Sequence, residues 1–206
     1  MADRRPLSSR DTGWARRAAQ ALTRIGMTPN AISAIGMPFA ALAGLAFAFA
    51  PERLWLFLLG ALLVQLRLLC NLFDGMVAVE GGRGGPTGVL FNEIPDRFED
   101  SVILIGFGYG AGLPELGFVA AILAVFTAYL RAMGASLGQG QDFAGPMAKP
   151  QRMAAVTIGA VLALLEALVF GSLWSPIIVL WVVALGAAWT AAARISRMAA
   201  RLKAGS

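Results

Sequence analysis

Six apolar runs, at residues 31–50, 54–73, 101–113, 116–138, 153–172 and 176–193, occupy most of this chain, each bounded by charge or by Gly and Pro. A helix needs about 20 apolar residues to cross a bilayer, so the sequence predicts an all-α membrane protein with six transmembrane helices. Only 14% of the residues are charged and 58% are hydrophobic, against about a quarter charged in a soluble domain. The chain, 1–206, reads as a single membrane domain. It has no histidine and one cysteine, Cys70. Disulfide frameworks, zinc sites and Ser-His or Cys-His nucleophile pairs are therefore excluded, and acid–base chemistry falls to Asp, Glu, Lys or Tyr.

The net charge of +5 raises the question of nucleic acid, but the basic residues gather at the ends of the apolar runs. Residues 1–30 form a polar N-terminal segment with Arg4, Arg5, Arg10, Arg16, Arg17 and Arg24 and no pattern of a cleaved signal peptide. Within it, residues 12–26 are expected to form an amphipathic helix with Trp14, Ala18, Leu22 and Ile25 on one face, lying at the membrane interface. Arg83, Arg97, Lys149, Arg152, Arg194, Arg197, Arg201 and Lys203 fall on the same side of the predicted topology, and only Arg53 on the other. The positive-inside rule then puts both termini in the cytoplasm. The expected location is a bacterial inner membrane, the partners are membrane lipids rather than nucleic acid, and a homodimer is left open.

The third run is too short to span unless its helix begins near Asn92, which brings Asn92, Glu93, Asp96, Arg97, Glu99 and Asp100 into its first turns. Lipid tolerates none of these, so those turns must face a wet cavity or the cytoplasm. The second helix likewise continues to about Val79, carrying Asn71 and Asp74 on one face; Asn92 and Asp96 share a face of the third. Four such oxygen-bearing side chains, joined by the glycine-rich segment 80–88, suit Mg²⁺ or Mn²⁺ bound with substrate phosphates. The same spacing also fits polar helix ends solvated by water.

At these positions the chain resembles the CDP-alcohol phosphotransferases, whose pattern is D-x-x-D-G-x-x-A-R, eight residues, then G-x-x-x-D-x-x-x-D. Here it reads Asn71-Leu72-Phe73-Asp74-Gly75-Met76-Val77-Ala78-Val79, eight residues, then Gly88-Val89-Leu90-Phe91-Asn92-Glu93-Ile94-Pro95-Asp96. Thr28-Pro29-Asn30-Ala31-Ile32-Ser33 and Thr127-Ala128-Tyr129-Leu130-Arg131-Ala132 are similar to two further family segments. The resemblance implies transfer of a phosphatidyl or other phosphoalcohol group from a CDP-linked lipid donor, CDP-diacylglycerol in the first instance, to a polar alcohol acceptor, phosphorylated or not, with release of CMP. By position it implies Asn71, Asp74, Asn92 and Asp96 near metal, Asp96 as catalytic base, and Gly75, Ala78 and Gly88 as close-approach positions for the nucleotide. The alternative is a catalytically altered relative that binds nucleotide or lipid without transfer.

Three positions depart from the pattern. Two aspartates are Asn71 and Asn92, which leaves the site two negative charges poorer, and the arginine is Val79, whose phosphate contact Arg83 is placed to supply. Arg67 lies on the motif face of its helix, either to bind a phosphate or to pair with Asp74 in place of a metal. Arg131, Lys149, Arg152 and Arg194 are expected to converge beside the motif and hold an anionic acceptor. Glu166, deep in the fifth run, is expected to pair helices or to lie at a subunit interface.

Overall fold

The structure, a computed structural model, describes residues 12–80 and 88–204. These form seven helices: α1 (Gly13–Arg24), α2 (Pro29–Ala48), α3 (Trp55–Glu80), α4 (Gly88–Gly110), α5 (Pro114–Ser136), α6 (Lys149–Phe170) and α7 (Trp174–Ala204). Five of them, α2, α3, α5, α6 and α7, are long and apolar enough to cross a membrane. The protein is thus an all-α, multi-pass membrane protein. As the sequence required, α4 starts well before its apolar part and α3 runs on past Asp74.

Each helix begins and ends for local reasons. Thr28 caps α2 by accepting a 3.2 Å hydrogen bond from the Ala31 backbone N–H, and Pro29 at the first helical position forgoes a donor that would have no partner there. Gly171 closes α6 in the left-handed conformation that a Cβ disfavours. Inside the bundle, Phe47 and Phe107 meet edge to face at 5.2 Å, among Phe57, Ile103, Leu104 and Val64. The outer faces present large apolar residues such as Leu62, Ile122, Leu168 and Trp189, the covering a bilayer requires.

α2 and α4 approach through glycine. A Cβ on Gly106 would lie 2.1 Å from the Gly44 carbonyl oxygen, and one on Gly44 would lie 2.6 Å from the Val102 carbonyl oxygen. Apolar attraction cannot drive helices together within lipid, where close backbone contact does so instead. Gly108 meets Gly117 of α5 in the same way, at 2.7 Å from its Cα.

Of the α1 face expected at the membrane interface, Trp14 and Ile25 are 53% and 74% exposed, whereas Leu22 turns inward with Ala15 and Ala19 against Ile32, Met76 and Val77. Alanine lets α1 lie close to α3, and Trp14 reaches only the edge of Phe73. Glu166 joins two helices, as expected, but through the start of the next one: its carboxylate, on α6, accepts from the Ser172 hydroxyl, the Ser175 hydroxyl and the backbone N–H groups of Trp174 and Ser175. It caps the start of α7, where unpaired donors and the helix dipole favour an anion.

Candidate functional site

The motif residues of α3 and α4 meet at the end of the bundle that also holds the start of α6. Arg67, fully buried, projects from α3 toward the face of α4 formed by Asp96, Glu99 and Asp100, residues spaced one turn apart. Its Nε donates to Glu99 Oε2 at 2.5 Å, and one terminal nitrogen donates to Asp96 Oδ1 and to Asp100 Oδ1, both at 3.1 Å. The other terminal nitrogen has no partner. Sequence reasoning offered Asp74 as the partner of Arg67; the guanidinium instead reaches across to α4. Gly36 of α2 makes room for this arrangement, since a Cβ there would come 2.8 Å from Glu99 Oε1.

Asp96 collects further donors. Asn71 Nδ2 lies 2.8 Å from Asp96 Oδ1, Lys149 Nζ pairs with the same oxygen, and Arg97 stands 3.3 Å from Oδ2. Asp74, one turn beyond Asn71, has a different environment. Ser33 of α2 donates to its Oδ2 at 2.6 Å, while its buried Oδ1 has no partner. Ser33 was named in the sequence only as part of the Thr28–Ser33 segment, and its role was missed there because the contact spans 41 positions.

That unpartnered carboxylate oxygen is the feature that fits a divalent cation: a hard anionic donor with no hydrogen-bond partner, on the same helix and one turn from Asn71, whose amide oxygen would be a neutral second donor. The side chain of Asn92 and all of Arg83 lie outside the described residues. Among the described residues, no group of three or more acidic, His or Cys side chains has the arrangement of a metal site. Gly75 and Ala78 lie near the end of α3 and Gly88 opens α4, and no atom lies within 4 Å of where a Cβ on Gly88 would stand.

Of the four basic residues expected to hold an acceptor, two are committed inward. Arg152, 2% exposed, donates to Asp100 Oδ2, the Met147 carbonyl and Thr127 Oγ1. Arg194, 5% exposed, donates to the carbonyls of Thr127 and Ala144. They join α4, α5, α6 and α7, because the main-chain carbonyls of the α5–α6 connection need partners when buried, and of Arg152 only Nε is left without a partner. Arg131 and Lys149 stay partly exposed at the rim, with Lys149 Nζ itself buried against Asp96. Arg131 pairs with Glu93, donates to Gln141 at 2.9 Å and lies over Phe143. In the same connection, burial works against the charge of Asp142, yet hydrogen bonds from Arg197 and the Ala144 backbone hold its carboxyl below the usual range.

No protein-family model matches the chain. It is 29% identical to the phosphatidylinositol phosphate synthase of Mycolicibacterium smegmatis over 185 residues, 86% of this chain and 80% of that protein. It is 34% identical to the archaetidylinositol phosphate synthase of Aeropyrum pernix over 150 residues, 71% of this chain and 72% of that protein. Its fold is similar to that of a Mycobacterium tuberculosis phosphatidylinositol phosphate synthase solved with CDP-DAG bound, with a TM-score of 0.75 over 89% of this chain and 92% of that one, at 20% identity. A crystal structure of the same mycobacterial protein with manganese and citrate gives the same score and identity over 89% and 88%.

Proposed function

Because this chain belongs to the CDP-alcohol phosphotransferase family, and is an enzyme that moves a phosphatidyl group from CDP-diacylglycerol to a polar alcohol, we propose that the alcohol is an inositol phosphate. One observation carries this. Two relatives named for lipids that differ in their apolar half, phosphatidyl and archaetidyl, share inositol phosphate as the polar half. An anionic acceptor also accords with a rim that keeps Arg131 and Lys149 near the motif.

In the reaction, an acceptor hydroxyl attacks the phosphorus that bears diacylglycerol. The new P–O bond forms as the bond to the bridging oxygen breaks, and CMP leaves with that oxygen. Asp96 is assigned the hydroxyl proton, since it is the motif carboxylate on the α4 side and the one beside rim Lys149. Lys149 and Arg67 hold Asp96 in place and offset the charge that gathers on the phosphates. Asp74 and Asn71 would hold a divalent ion, Mn²⁺ or Mg²⁺, which when bound neutralises charge on the donor diphosphate. Gly75, Ala78 and Gly88 admit the nucleotide, with Arg83 assigned to its phosphates.

The membrane arrangement is part of the same reading. α4 is taken as a sixth span whose charged first turns are sheltered by α3 and α6, and α1 as an interfacial helix with Trp14 and Ile25 toward lipid. Both termini and the site then face the cytoplasm of a bacterial inner membrane, in one domain. The protein in vesicles, given CDP-diacylglycerol and Mn²⁺, should release CMP and form a phosphorylated lipid with inositol phosphate far faster than with inositol, glycerol phosphate or serine. Preference for a neutral alcohol or for glycerol phosphate would overturn the assignment.

A further inference from the structure

We propose that this site binds one divalent cation per chain, at Asp74, and that Arg67 stands permanently where a second cation would balance Asp96. The proposal rests on the reading of the chain as a metal-using transferase. It goes beyond that reading by fixing the number of ions and the residue that limits it.

The two motif carboxylates that remain are not equivalent. A carboxylate offers about four lone-pair directions. Asp96 has Oδ1 crowded by Arg67, Asn71 and Lys149 and one direction of Oδ2 taken by Arg97, which leaves a single direction open, enough for a proton but not for a cation beside these positive groups. An arriving cation would have to displace Lys149 and then stand against the Arg67 guanidinium, which cannot lose its proton and cannot leave. It cannot leave because it is fully buried and bonded to Glu99 and Asp100 as well. Asp74 is open by comparison: Ser33 fixes the carboxylate through Oδ2 and leaves Oδ1 buried and unpartnered.

Charge counting agrees. Asp74, Asp96, Glu99 and Asp100 are four buried carboxylates, and Arg67, Arg97, Lys149 and Arg152 are the four cations paired among them, so the cluster is formally neutral. One divalent ion leaves two positive charges, which the donor diphosphate can meet. A second would leave four. The sequence change from aspartate to Asn71 acts in the same direction, because its amide nitrogen is a donor to Asp96 where a carboxylate would have been a ligand.

The test is the number of Mn²⁺ ions bound by the purified full chain in detergent, read by the electron paramagnetic resonance of free Mn²⁺ during titration with the metal alone. One ion per chain is expected. Asp74→Asn should weaken its binding at least ten-fold, and Arg67→Gln should take up a second ion. Lys149→Gln, which vacates the same oxygen of Asp96, is the second variant should Arg67→Gln not fold, with the same expected gain. Two ions or none on the wild type, one ion that survives Asp74→Asn, or no gain in either charge-removal variant would overturn the proposal. CMP release on the same preparation separates the two readings: no transfer with one ion bound defeats only the enzymatic reading, and transfer with two ions bound defeats only the ion count.

Discussion

Ser33 donates a 2.6 Å hydrogen bond to Asp74, and both side chains are buried. The bond fixes a motif carboxylate of α3 from α2, a helix that contributes no residue to the motif itself. A hydrogen bond to a charged group contributes about 1.5–3 kcal/mol. Ser33→Ala should therefore lower the thermal unfolding midpoint in detergent and raise the metal concentration needed for half-maximal turnover. An unchanged midpoint together with an unchanged metal response would show that the bond does neither.

Arg67→Ala should be among the most destabilising single changes. It leaves Asp96, Glu99 and Asp100 facing one another without their shared cation, and breaking a buried pair in this way costs about 3–5 kcal/mol. Adding Glu99→Gln should recover part of the loss, since it removes one stranded charge. Chemical unfolding of the two variants checks this; strictly additive losses would contradict a shared network.

Asp96→Asn should reduce CMP release by about 10²-fold or more at saturating metal, the range of a positioned base. Asparagine is similar in size and can still accept from Arg67 or Lys149, so the unfolding midpoint should fall far less than in Arg67→Ala. Near-normal turnover in folded protein would move the base elsewhere.

Two glycine substitutions should part company. Gly106→Ala forces a methyl group to within 2.1 Å of a backbone oxygen of α2, and overpacking of this kind costs about 1–3 kcal/mol or more. Gly88→Ala meets nothing in the free protein, so its midpoint should hold while its Michaelis constant for CDP-diacylglycerol rises. A normal Michaelis constant in Gly88→Ala would remove that residue from the nucleotide contacts.

The helices were legible because lipid permits so few alternatives: runs of the right length could be little else, and the acids ahead of Ser101 had to be sheltered. What sheltered them was only half legible. Arg67 was visible as a residue on the motif face, but the spacing along α3 does not say which helix lies opposite. Arg152 and Arg194 illustrate the same limit, since charge near a helix end marks depth and not direction; both turn inward to carbonyls and to Asp100. Glu166 was legible as a residue that joins helices but not as a cap, although the Ser172 and Ser175 that follow it across a short turn were a usable sign of one. Ser33 had no such sign within its own helix.

The contact of Gly44 with Gly106 and Val102 is made mostly of backbone, with one methyl of Val102 beside it. Its cohesion comes from dispersion between atoms already at closest approach, and it has few side-chain atoms to loosen into another arrangement. Such a join does not depend on which hydrocarbon surrounds it. Exchange of the bilayer for detergent should therefore loosen the outer faces of α6 and α7 well before it separates α2 from α4. Slow amide exchange should persist along those two helices in any micelle that keeps the protein soluble, making them the natural frame against which motion elsewhere is measured.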